Sequence, residues 1–207
     1  MSEERLNSLV YSKNVIELIT VANEFCSFLE RSDEMQSPDF MGRLQKILPL
    51  LYLKASLLPE FECESEEEPE RFVTEVEYNL IQQKVLRHTG AGDDYQEIFT
   101  SGMQFSETAL TESIAENVAD IYQEMKDMVM SFRTMNEEVM ELALSEIKNG
   151  FAQVWGQKLV NCLRAVHNLI YSEHFSDEDS GIDESKMKQT NRKPDWLNDR
   201  FSHQEEE

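Results

Sequence analysis

Apolar residues recur at spacings of three and four along most of this sequence, and no stretch alternates apolar with polar as a strand would. That period stacks side chains on one face of an α-helix. Seven Gly and five Pro among 207 residues leave few enforced breaks. The expected architecture is therefore all-α: an antiparallel bundle of five to seven helices over residues 1–175, followed by a charged tail, 176–207.

A first helix is expected from about Leu9 to Arg31, burying Ile16, Ile19, Ala22, Cys26 and Leu29. Ser37-Pro38 reads as the cap and first position of a second helix, with Met41, Leu44, Leu48, Leu51, Tyr52 and Ala55 on its inner side. Pro49 inside it is expected to kink or split it. The run EFECESEEEPE, Glu60 to Glu70, reads as a solvated loop. Pro69 could open a third helix, carrying Val73, Val76, Leu80 and Leu86 inward and ending near Gly90. GAGDDYQEIFTSGMQF then reads as a connector.

The fourth helix is the clearest, with Thr111 as its expected cap. Its stripe is Ile114, Val118, Ile121, Tyr122, Met125, Met128, Val129 and Phe132. A fifth spans roughly Glu137 to Lys148, and Asn149-Gly150 marks a break or weak point. In the sixth, Phe151, Trp155, Leu159, Cys162, Val166 and Ile170 share one arc. Gly156 on its flank suggests a bend or the approach of another backbone. After Phe175 the periodicity stops, and the acidic segment reads as a disordered or loosely docked tail. Trp196, Leu197 and Phe201 are its candidate interaction residues.

Lys+Arg number 19 against 41 Asp+Glu, a net charge of -22. Such a charge repels nucleic-acid phosphates and anionic membranes and favours cationic partners. The expectation is an unknown protein partner, with basic ones favoured, and neither nucleic acid nor membrane. No apolar run reaches the roughly 18 residues of a membrane span, and the start lacks a signal-peptide pattern, so a cytoplasmic location is expected. Cys26, Cys63 and Cys162 form neither a CxxC nor a disulfide framework; Cys26 and Cys162 read as core residues.

Catalytic motifs are scarce. Three positions before the four histidines stand Val85, Arg164, Tyr171 and Arg200, so the ExxH signature of helical di-iron sites is missing. Neither GxSxG nor a P-loop occurs. Cys162 and His167 would point about 140° apart on a helix, too far for a nucleophile–base pair. Glu124-x-x-Asp127 and Glu138-x-x-Glu141 have the one-turn carboxylate spacing used to hold Mg²⁺ or Mn²⁺. With Asp120 they form the alternative metal set, although their order is the reverse of that in all-α pyrophosphatases. Arg164 and His167 border the core stripe and could meet Asp120 or Glu124 in a polar edge.

Four segments carry a resemblance. WGQKLVNCLRAVHNLI, Trp155 to Ile170, resembles the WGxxxxxxLRAxHxLI-type segment of the bacterial domain-of-unknown-function family numbered 5063. Ala115 to Lys126 is similar to its ADIYxDLK segment. Asp94-Tyr95 with Glu97-Ile98-Phe99 is similar to its DxYxEVF segment, and LPLLYLKASLL to its apolar second helix. The matches run in chain order over roughly residues 9–175. The resemblance implies an all-helical bacterial cytoplasmic protein and implies no activity. It marks Asp94, Tyr95, Asp120, Tyr122, Trp155, Gly156, Arg164 and His167 as shared positions. The longer acidic loop, the longer start of the fourth helix and the charged tail depart from the pattern.

The functional expectation is a non-enzymatic interaction, adaptor or regulatory module without a cofactor. The alternative is a metal-dependent hydrolase or small-molecule binder using Asp120, Glu124, Asp127, Glu138 and Glu141 in a bundle pocket.

Overall fold

A computed structural model of the chain describes residues 9–60, 67, 69–97 and 110–172. The tail, Trp196, Leu197, Phe201, Cys63 and most of the acidic run lie outside them. Contacts group the chain into Met1–Ile170 and Tyr171–Glu207, and every helix and strand described belongs to the first unit.

Its described residues form six α-helices: α1 (Lys13–Glu30), α2 (Ser37–Ser56), α3 (Glu75–Thr89), α4 (Ile114–Arg133), α5 (Glu137–Gly150) and α6 (Gly156–Ile170). The fold is all-helical as expected, with one addition. β1 (Asp94–Glu97), within the stretch read as a connector, pairs antiparallel with β2 (Leu110–Ser113), where the start of the fourth helix was expected, Asp94 opposite Ser113.

α4 is the centre, packing against α1, α3, α5 and α6. Every residue of its expected stripe is buried. Burial of one Leu- or Met-sized side chain contributes about 1.5–3 kcal/mol, so this one face supplies much of the driving force. Its cap differs from expectation. Thr111 lies in β2, and the Ser113 hydroxyl accepts from the Glu116 N–H instead.

Elsewhere the helices hold but their faces shift. α1 buries Val15, Leu18, Ala22, Phe25, Cys26 and Leu29, while Ile16 is exposed. α2 begins at Ser37 with Gln36 as its cap, and runs unbroken through Pro49. Pro49 is exposed, so the Gln45 carbonyl it deprives of a donor lies on the solvent side, while Leu48 and Leu51 stay anchored in the core. α3 departs most. Pro69 does not start it; Thr74 and Glu77 do, as a reciprocal capping box. Val76, Leu80 and Leu86 face outward, and the buried side is Ile81, Lys84, Val85, His88 and Thr89.

α5 and α6 are joined without a break. Residues Phe151–Trp155 form a π-helical turn between them. Gly156 is required there. A Cβ on it would lie 2.3 Å from the Phe151 carbonyl oxygen, which the widened turn brings round to that side. The approaching backbone is thus the helix's own. Trp155 is buried and its indole N–H donates to the Ile147 carbonyl at 3.0 Å, holding the turn to α5.

Candidate functional site

The polar residues gather in two zones, one at the N-terminus of α4 and one along its partly exposed side. At the N-terminus the organising group is Asp93. It sits just before β1, is buried, and receives the Thr89 hydroxyl at 2.6 Å, the Ser113 hydroxyl at 2.5 Å and the Ala115 N–H at 3.0 Å. Its carbonyl accepts from the Ile114 N–H at 2.9 Å. One carboxylate therefore ties the end of α3, the hairpin and the first turn of α4, at the end where the helix dipole favours negative charge.

The hairpin is fastened twice more. The Asn117 side-chain amide donates to the Tyr95 hydroxyl at 2.6 Å, and Arg164 donates to the Gln96 carbonyl at 2.9 Å. Asp94 is exposed on β1. The expected polar edge of Arg164, His167 and Asp120 does not form. Arg164 serves β1, and His167 Nδ1 lies 3.2 Å from the Gln45 amide on α2.

Asp120 has partners on other helices. It accepts from the Tyr78 hydroxyl at 2.7 Å and pairs with the Lys158 ammonium. Burial, then the bond to Asp120, raise the Tyr78 pKa, so its phenol stays protonated. Two turns on, Arg71 lies among Glu146 at 2.9 Å, Glu124 at 3.5 Å and Asp127 at 3.6 Å. Asp127 also accepts the Phe72 and Val73 N–H groups at 2.7 and 2.9 Å. The space beside this cluster is about 10 Å³, room for one water.

The carboxylate set read from the sequence is dispersed over separate contacts. Glu124 and Asp127 do converge, but on an arginine. Asp120 belongs to a separate contact, and Glu138 and Glu141 are exposed on α5. Among the described residues, no three His, Cys, Asp or Glu side chains form a group able to hold a metal ion. Cys26 and Cys162 are core residues as expected. Burial pushes both thiols up to about 12, where almost no thiolate exists near neutral pH.

A third contact lines a cleft beside α4. The Glu30 carboxylate at the end of α1 receives the Tyr122 hydroxyl at 3.0 Å and the Lys126 ammonium at 2.6 Å. Nearly buried Lys84 donates to the Glu30 carbonyl at 2.5 Å and pairs with Asp33 at 2.7 Å. Glu30, Glu77, Leu80, Lys84, Tyr122 and Lys126 line a half-open cleft of about 280 Å³. Sequence reading named Tyr122 but missed Lys84, Glu30, Asp93 and His88. His88 is buried, stacks on Phe40 at 4.1 Å, and has Nε2 3.0 Å from the Ser32 carbonyl. Only spacing across elements links these residues, so no local motif marks them.

Comparison with known proteins places this arrangement. The family model described as domain of unknown function DUF5063 matches residues 9–172. The chain belongs to that family. The crystal structure of protein BF1032 from Bacteroides fragilis is similar, with a TM-score of 0.70 and 41% sequence identity, covering 80% of this chain and 97% of that one. No curated protein matches the chain. The Asp93, Asp120 and Arg71 contacts all fall inside the family segment. No helix among the described residues is long and apolar enough to cross a membrane.

Proposed function

We propose that the chain is a non-enzymatic protein-interaction module, and that the outward face of α2 is its docking surface. One observation carries the reading. Leu50 and Leu53, on the side of α2 away from the core, are 42% and 51% exposed, and Leu57, the residue that caps its C-terminus, is 46% exposed. Tyr52 is exposed beside them. Contiguous exposed apolar surface on a soluble fold marks a contact for a partner. The ionisable groups offer less to chemistry: Asp93, Asp120 and Asp127 are each bonded into the packing of α4.

The test is affinity capture from the source cells with wild type and with Leu53→Glu. A protein held at stoichiometric yield by wild type and lost from the variant supports the reading. A partner held equally by both moves docking away from α2, and no partner with either counts against the module altogether.

A second reading, a small-molecule binder, is favoured by the cleft at Glu30, Lys84 and Lys126. Its mixed charge beside Leu80 suits a small zwitterionic ligand. A thermal-shift panel of Mg²⁺, Mn²⁺, nucleotides and amino acids tests it. A ligand at about 100 times its Kd adds about 2.7 kcal/mol, and that shift must vanish in Lys126→Ala.

A further inference from the structure

We infer that the cleft between α1 and α2 is a binding site for a small aromatic amino acid, a planar ring with a carboxylate and an ammonium on one short arm. The inference goes beyond the interaction-module reading and does not depend on it.

The two helices form the cleft between them. Phe28 stacks on Phe40, Lys54 pairs with Glu17, and the Asn14 amide donates to the Leu57 carbonyl, so α1 and α2 run antiparallel. Near the turn that joins them, Glu24, Phe28, Arg31, Glu34, Met35 and Arg43 line a half-open space of about 400 Å³. Small-molecule sites enclose roughly 300–1,000 Å³.

The apolar lining suits a ring. Buried Phe40 stacks on both Phe28 and His88, with ring centroids at 5.0 and 4.1 Å. Phe28 is half-buried, ends that stack and lines the cleft. A further ring laid on it would continue the stack. The half-buried Met35 thioether offers the edge of that ring a second contact.

The charges are of both signs and are not engaged. Beside α4 the opposite charges that share a cleft pair with one another, as Lys126 does with Glu30. The guanidinium groups of Arg71, Arg87, Arg133 and Arg164 each bond a distant part of the chain. Arg31 bonds only the Ser27 carbonyl of its own helix. Among the described residues, Arg43 forms no ion pair, and the exposed Glu24 and Glu34 do not pair with either arginine.

Their placement selects the ligand. Arg43 follows Phe40 by three residues, and Glu24 precedes Phe28 by four. On antiparallel helices both steps lead to the same end of the cleft. The carboxylate and ammonium of an amino acid share one carbon, so Arg43 takes the first in a bidentate pair and Glu24 takes the second. The ring then extends over Phe28 toward Met35, where the Arg31 guanidinium can cover it. A phosphate ester would set its charge against Glu24 and Glu34, and a plain amine would leave Arg43 without a partner.

Proton–nitrogen correlation spectra of the labelled full chain, titrated with L-phenylalanine, test this. The amides of Phe28, Met35 and Arg43 shift and saturate. L-alanine, 3-phenylpropionate and phenethylamine lack the ring, the ammonium and the carboxylate in turn, and each binds roughly fivefold or more weakly. Arg43→Met and Glu24→Gln weaken L-phenylalanine by a similar factor; both residues are exposed, so the variants keep the fold. The inference is overturned if none of L-phenylalanine, L-tyrosine and L-tryptophan gives a saturable shift, or if 3-phenylpropionate binds as tightly as L-phenylalanine. A loss of affinity in Lys126→Ala that Arg43→Met does not share would put the ligand beside α4 and overturn it equally.

Discussion

Asp93 offers the sharpest test of whether this fold's buried carboxylates are structural. In Asp93→Ala three donors lose their acceptor: the Thr89 hydroxyl, the Ser113 hydroxyl and the Ala115 N–H. They are not equal. Thr89 already lies 3.3 Å from the Val85 and Leu86 carbonyls and can turn to them. Ser113 is half-buried and can reach water. Ala115 is buried, so its N–H has nowhere to go, and an unpaired buried donor costs about 1–3 kcal/mol. Loss of negative charge and capping at the start of α4 adds about 1 kcal/mol. The sum is about 3 kcal/mol, or a drop in Tm of about 6–12 °C for a domain of this size. Asp93→Asn keeps a carbonyl for Ala115 and Thr89 and loses the charge and the acceptor for Ser113, which can reach water, so its drop is about 2–4 °C. Differential scanning calorimetry and urea unfolding of the three proteins measure this. An alanine variant within about 1 kcal/mol of wild type would refute the reasoning. A carboxylate held for chemistry would behave in the opposite way, its removal leaving stability unchanged or raised.

Three further outcomes follow from the packing. Gly156→Ala places a methyl against the Phe151 carbonyl, and overpacking of this kind costs about 1–3 kcal/mol; near-UV circular dichroism should change with it, because Trp155 is held by the same turn. His88 has its pKa lowered by burial, so the fold prefers it neutral. Its contribution is present above the unfolded value near 6.5 and is lost as pH falls through the lower folded value, so urea midpoints compared at about pH 7.5 and pH 5.5 should show a drop that His88→Gln reduces. Asp127→Ala should speed amide exchange at Phe72 and Val73 by roughly tenfold, while exchange in the core of α4 stays slow.

The legible part of the fold was the part where apolarity and burial coincide. The stripe of α4 could be read because its eight large apolar residues are all buried; the buried Asn117, Asp127 and Ser131 beside them could not. α3 could not, because its inner face carries Lys84, His88 and Thr89, each satisfied by a carbonyl or carboxylate from another place in the chain. Its Val76, Leu80 and Leu86 look like a stripe and point to solvent. The π turn was legible only as an unexplained Gly156, since nothing local says that the approaching oxygen is the helix's own. The same reason hid the polar contacts. Asp93 caps a helix that begins 21 residues later, and Asp120 finds Tyr78 and Lys158 42 and 38 residues away. A sequence displays residue types and periods; it does not display which distant donor meets which carboxylate.

The arginine cluster turns that point into a pH-dependent prediction. Arg71 faces three carboxylates, Glu124, Asp127 and Glu146, so one positive charge cannot balance them. Burial raises the pKa of Glu124; Arg71 opposes the shift, and Glu146 and Asp127 reinforce it. A carboxylate with a raised folded value stabilises the fold when protonated, below its unfolded value near 4.3, and loses that contribution as pH rises through the folded value. Glu124→Gln removes this titration and leaves Arg71 with Glu146 at 2.9 Å and with Asp127. The variant should therefore gain on wild type as pH rises from about 4 to 7, and hold a constant margin above that. Urea midpoints across that range decide it. If the variant instead loses ground toward neutral pH, the Arg71–Glu124 attraction outweighs burial, and Glu124 is a true partner of Arg71 rather than a charge the cluster tolerates.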